Sequence, residues 1–124
     1  MTHATDTHNS LLGIAGESFA LGFYEGAGFE LLGSRVRTRS GELDLILEAP
    51  DGTVVFVEVK ARRSRAFGAA EAVTQKKLTT MRRCAAEWLD GQEWKAVRFD
   101  VAEVIFRPED VQIEIFEDVD NGAR

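Results

Sequence analysis

Residues Arg39 to Arg63 read RSGELDLILEAPDGTVVFVEVKARR. Two runs of alternating apolar residues, Glu42 to Ala49 and Thr53 to Ala61, flank Pro50-Asp51-Gly52. Proline fixes φ, aspartate bonds its own backbone and glycine tolerates positive φ, so this tripeptide favours a turn. The stretch is predicted to be a β-hairpin. Successive strand side chains point to opposite faces. Odd positions supply Leu43, Leu45, Leu47, Val55, Val57 and Val59, an apolar face that must lie on a core. Even positions supply Glu42, Asp44, Ile46, Glu48, Val54, Phe56, Glu58 and Lys60, mixed near the turn and charged at the open end.

With residues 50–52 as the loop, Ala49 faces Thr53, Ile46 faces Phe56, Asp44 faces Glu58 and Glu42 faces Lys60. A slip of one residue would set the apolar face of one strand beside the mixed face of the other, which favours this register. Two carboxylates directly opposite each other destabilise a sheet unless something positive lies between them. A divalent cation, with the Lys60 ammonium close by, would meet that need. A solvated outward face whose charges fall in this order is the other reading of the same spacing.

The chain has 124 residues, enough for one domain with a real core, and its 29% charged and 44% hydrophobic content suits a soluble globular protein. No apolar run reaches the length of a membrane span and no signal-peptide pattern opens the chain, so a cytoplasmic protein is expected. Cys84 is the only cysteine. It excludes an internal disulfide, and beside Ala85 and Ala86 it reads as a small buried hydrophobe. The net charge of −6 argues against a general nucleic-acid coat. From Arg35 to Arg83, however, eleven basic and six acidic residues leave +5, while the remainder has four basic and fifteen acidic residues, or −11. A basic patch around the hairpin is what a local phosphate-binding surface needs, although scattered surface charge gives the same asymmetry.

Along the chain, residues 1–9 are polar and without periodicity, and are read as a flexible tail; His3 and His8 lack a third ligand. Asn9 or Ser10 is expected to cap a helix that stops at Gly26 or Gly28. Glu17 lies in its middle, and nothing in the pattern alone singles it out. Phe29 to Thr38 reads as a strand with Arg35, Arg37 and Arg39 on one side, followed by the hairpin and a basic loop, Arg62 to Gly68. Thr74 should cap a helix of Gln75 to Leu89, in which Leu78, Met81, Ala85, Trp88 and Leu89 recur at helical spacing. Ala96 to Phe106 makes a fourth strand and Val111, Ile113 and Ile115 mark a short fifth. Residues 118–124 read as an acidic tail, leaving 10–117 as one domain. Helix, three strands, helix and two strands predict an α/β sandwich of three layers, a sheet of about five strands with a helix on each face.

Asp44, then Glu58-Val59-Lys60 on the next strand, resembles the PD-(D/E)XK nuclease signature. Gly16-Glu17 with Ala20, Gly41-Glu42-Leu43-Asp44-Leu45-Ile46, Phe56-Val57-Glu58-Val59-Lys60-Ala61-Arg62, Lys76 and Arg98-Phe99-Asp100-Val101 together resemble the YraN family, over about residues 11–115. Ser34 stands where that family usually has asparagine. The resemblance implies a restriction-endonuclease-like fold with a mixed sheet, related to Holliday-junction resolvases. It implies Glu17, Asp44, Glu58 and Lys60 as the active-site set and Gln75-Lys76 as a phosphate contact.

On that basis Mg²⁺ or Mn²⁺ is expected at Asp44, Glu58 and the Val59 carbonyl, because such ions use one or two carboxylates plus water and phosphate oxygens. Arg37, Arg39, Arg62, Arg63, Arg65, Lys76 and Lys77 would grip flanking phosphates. No base-reading motif is visible, so structure-selective cleavage of nucleic acid, DNA before RNA, is the expected activity. A non-catalytic module that keeps the fold and binds nucleic acid or a protein partner is the alternative, and a homodimer is left open.

Overall fold

Leu45, Leu47, Val55 and Val57 point to one side of the sheet and Ile46, Val54 and Phe56 to the other, and each set meets its own helix. The structure, a computed structural model, describes residues 4–63, 75–93 and 96–121. Its elements are α1 (Ala4–Gly26), β1 (Glu30–Arg37), β2 (Glu42–Glu48), β3 (Val54–Arg62), α2 (Gln75–Leu89), β4 (Val97–Phe106) and β5 (Val111–Phe116). A 3₁₀ turn follows at Val119–Asn121.

The strands form one mixed sheet in the order β1-β2-β3-β4-β5. β1, β2 and β3 are antiparallel neighbours, β3 and β4 are parallel, and β5 runs antiparallel to β4. A parallel pair needs a crossover connection, and α2 lies in that one. Ala20 and Tyr24 of α1 cover one face of the sheet, and Leu78, Met81, Cys84, Ala85 and Leu89 of α2 cover the other. The expected three-layer α/β sandwich is the observed architecture.

The hairpin keeps the expected register near its turn. Ala49 N–H donates to Thr53 O at 2.8 Å, Gly52 N–H donates to Ala49 O at 2.8 Å, and Ile46 lies opposite Phe56. Gly52 has φ +91°, which glycine adopts without a Cβ clash. Helix α1 ends as its glycines suggest. Gly28, at φ +92°, lets its own N–H reach Glu25 O and that of Phe29 reach Tyr24 O, which satisfies two terminal carbonyls.

Four expectations are corrected. The helix begins at Ala4, not at Asn9 or Ser10, so residues 4–9 are helical where a flexible tail was expected. Adding turns to a nucleated helix costs little even for middling helix formers. At the other end, the acidic stretch is held to the body of the protein through residue 121: Asp118 N–H donates to Asp100 at 3.0 Å and Val119 packs on the α2 side. Strand β3 runs through Arg62, which pairs with Ile105, so that arginine belongs to the sheet and not to the loop. Finally, Leu43 and its partner Val36 pack into the α2 cluster and not, as parity predicts, under α1. Arg35, just before Val36, has φ +49°, and this left-handed residue marks where the alternation of faces breaks.

Candidate active site

The matched pairs of β2 and β3 stop at Leu45–Val57, while β2 stays paired with β1 through Val36–Leu43 and Arg37–Glu42. The two strands of the hairpin therefore part at the position expected to set Asp44 against Glu58. The Asp44 carboxylate accepts the Val59 N–H at 2.8 Å, so a side chain replaces the ladder bond that the backbone gives up. The fork opens under the start of α2. Asp44, Glu58, Lys76 and Lys77 line the resulting cleft of about 450 Å³, with Cys84 and Met81 among its apolar walls.

Burial and like charge act together on one acid of the cleft. Asp44 is pushed up from 3.8 to about 6, first by burial and then by the Glu58 charge; Glu17 adds to this, and the Val59 N–H and Lys77 oppose it. Glu58, only 8% exposed, keeps its charge company with two ammonium groups. Lys60 Nζ lies 3.2 Å and Lys77 Nζ 3.1 Å from the same oxygen, Oε2. Lys60 reaches it because residues two apart on a strand share a face. Lys77 reaches it from the first turn of α2.

Glu17 arrives from the opposite layer, and Gly16 is the reason. A Cβ at Gly16 would stand 2.7 Å from the Ala61 Cβ, so glycine lets α1 close on the end of β3. The Glu17 carboxylate accepts the Arg35 Nε–H at 2.8 Å and lies close enough to Asp44 to raise its pKa. The structure thus brings Glu17, Asp44, Glu58 and Lys60 to one end of the sheet. Lys77 and Arg35 join them, the former expected only as a phosphate grip and the latter as one of three alternating arginines. The signals for them, a lysine two residues into a helix and an arginine facing the hairpin, are too common to select from sequence.

The basic residues divide. Arg37 and Arg39 are well exposed and, among the described residues, make long ion pairs, 3.8 Å to Glu42 and 3.9 Å to Glu87. Arg63, Gln75, Lys76 and Lys77 are at least partly open to solvent around the cleft end of the sheet. Arg62 instead turns its Nε to within 3.7 Å of the buried Glu103 carboxylate on β4. Arg65 and Thr74 lie outside the described residues.

Among the described residues no three acidic, histidine or cysteine side chains gather at metal-ligating distance. Two acids on parting strands, with the Val59 backbone between them, still match a hard cation that takes one or two protein carboxylates and completes its shell with water and phosphate oxygens. Such a cation would offset the burial and like charge that push the Asp44 carboxyl up.

Comparison with known proteins adds a family. The pattern of the uncharacterised protein family UPF0102 matches residues 16–104. A UPF0102 protein of Corynebacterium efficiens is 48% identical over 120 residues, covering 95% of this chain and 98% of its own. One from Corynebacterium glutamicum is 45% identical over 120 residues, with the same coverage of 95% and 98%. One from Mycobacterium ulcerans is 48% identical over 94 residues, covering 73% of this chain and 77% of its own. The matched span opens at Gly16 and contains Glu17, Asp44, Glu58, Lys60 and Lys77.

Proposed function

The chain belongs to the uncharacterised protein family UPF0102, the YraN-like family its motifs resemble, and for it we propose a divalent-metal-dependent endonuclease that hydrolyses phosphodiester bonds in nucleic acid. The observation that carries this reading is the fork of β2 and β3, which holds two carboxylates and a lysine at one end of a mixed sheet. The same order of sheet and acids is what a PD-(D/E)XK fold of the resolvase type would need.

Asp44, Glu58 and the Val59 carbonyl are the groups that would hold Mg²⁺ or Mn²⁺. The bound ion supplies charge that polarises a phosphodiester and acidifies water. Lys60, fixed beside Glu58 at 3.2 Å, is placed to orient the attacking water and to offset charge that develops on the phosphate oxygens. Glu17, held by Arg35, would contribute to a bound ion's outer shell through water. Lys76 beside the cleft, with Arg63, Arg37 and Arg39 nearby, would hold flanking phosphates without reading bases. Among the described residues no helix is long and apolar enough to cross a membrane, and cytoplasmic nucleic acid, DNA first, is the substrate proposed.

A second reading rests on the two lysines at Glu58, which neutralise that acid without any metal. In it the protein is a non-catalytic module that binds nucleic acid or a protein. Lys60→Ala separates the two. Hairpin, flap, junction and single-stranded substrates with Mg²⁺ or Mn²⁺ should include one that the wild type cuts and Lys60→Ala cuts roughly 100-fold more slowly, with little change in melting temperature. Equal cutting by both would point to a contaminating nuclease and leave the binding module in its place.

A further inference from the structure

Two ammonium groups meet on one carboxylate oxygen in the cleft, which is one more cation than Glu58 needs. Lys60 Nζ is 3.2 Å and Lys77 Nζ 3.1 Å from Oε2. Their situations differ. Lys60 has a 26% exposed side chain and follows Glu58 on the same strand face, so its direction is set by the backbone. Lys77 comes from the exposed start of α2 with a 44% exposed side chain, and can turn outward without moving the helix. Asp44 lines the same cleft, and the Lys77 charge acts on it as well.

We propose that Lys77 is an exchangeable counter-ion, resting on Glu58 when no divalent cation is bound and moving to a substrate phosphate when one is. The inference rests on the metal-dependent reading above and deepens it. A divalent cation and two ammonium groups cannot all lie close to one carboxylate without strong repulsion, and the more mobile ammonium is the one displaced. Displaced outward, Lys77 faces the mouth of the cleft beside Lys76, where a phosphodiester would enter. Metal and nucleic acid then bind with positive coupling, each favouring the lysine position that the other requires. A lysine that merely props the cleft open would produce no such coupling.

The test uses the full chain and three proteins: wild type, Lys77→Met and, as a control for lost charge on the same helix, Arg83→Met. Methionine is a good helix former, and Lys77 is not a core position, so the fold should survive; thermal melting checks this. Calorimetric titration with Mn²⁺ should show Lys77→Met binding about 5- to 10-fold more tightly than wild type, with Arg83→Met like wild type. Binding by the variant alone is the strongest form of that result. Affinity for a twelve-nucleotide thymidine strand, measured with and without Ca²⁺, should rise with the cation in wild type and lose that rise in Lys77→Met. Equal or weaker Mn²⁺ binding by Lys77→Met overturns the counter-ion role and leaves the nuclease reading standing. Absence of Mn²⁺ binding in both proteins overturns the two together.

Discussion

Asp44 and Asp100 are both withdrawn from water, on opposite faces of one sheet, and they are treated in opposite ways. Asp100 is 0% exposed and fully served: it accepts from Tyr24 Oη at 2.8 Å, from Arg98 Nε and Nη2 at 2.9 and 3.0 Å, and from Asp118 N–H at 3.0 Å. Its neighbours register the charge. The Tyr24 hydroxyl is pushed far up by burial and then by Asp100, and Arg98 is pushed up by its bond to the same acid, against the pull of burial. Asp44 receives one backbone N–H and faces another acid. Burial alone does not mark a functional acid; incomplete compensation does. Asp100 ties α1, β4 and residue 118 together, whereas Asp44 is left beside Glu58 with its pKa raised.

The largest effect that would break this contrast is at Asp100. Removing one partner of a buried, hydrogen-bonded charge pair costs about 3–5 kcal/mol. Asp100→Ala should lower unfolding stability by that order in urea denaturation, at any substrate or metal concentration. A loss below 1 kcal/mol would mean the network is ornamental and the contrast unfounded.

Asp44→Asn should act in the other direction. Because the folded carboxyl titrates near 6 and the unfolded one near 3.8, the folded state holds the extra proton between those values. Stability from this group is therefore intact below about pH 4, declines through the window to pH 6, and stays reduced above it. The asparagine variant, which keeps an acceptor for Val59 N–H, should be more stable than metal-free wild type at pH 7.5 by on the order of 2 kcal/mol, and indistinguishable from it near pH 4. Denaturation curves at the two pH values decide the matter; a variant less stable at pH 7.5 would show that Asp44 is a structural acid after all.

The smallest effect on stability sharpens the same point at the surface. Arg37 and Arg39 hold their acids at long range and in water, so replacing both with alanine should change stability by less than about 0.5 kcal/mol. If they meet phosphates, the slope of log affinity against log salt for nucleic acid should flatten by about 2, one per lost contact. An unchanged slope would confine the binding surface to the cleft itself.

Most of the fold was legible in the chain because it is written in local terms. The turn at Pro50-Asp51-Gly52, the alternation on both sides of it, the helical spacing from Leu78 to Leu89 and the glycine stop at Gly28 each depend on residues within a few positions of one another. Glu58 and Lys60 were legible for the same reason, since strand parity puts them on one face, and the hairpin brought Asp44 near them, although not directly opposite Glu58 as its register predicts. The tertiary structure alone decided the rest. Glu17 enters the site only because α1 crosses β3 where Gly16 allows close approach, and Lys77 reaches Glu58 only because α2 starts above the fork. Asp100 and Glu103 are charged residues on opposite faces of β4, yet both are buried because helices cover the two faces of an interior strand. The parting of β2 from β3, the helical start at Ala4 and the docking of Val119 likewise depend on partners distant in sequence. Periodicity fixes which face a side chain takes; what stands opposite that face is a matter of packing.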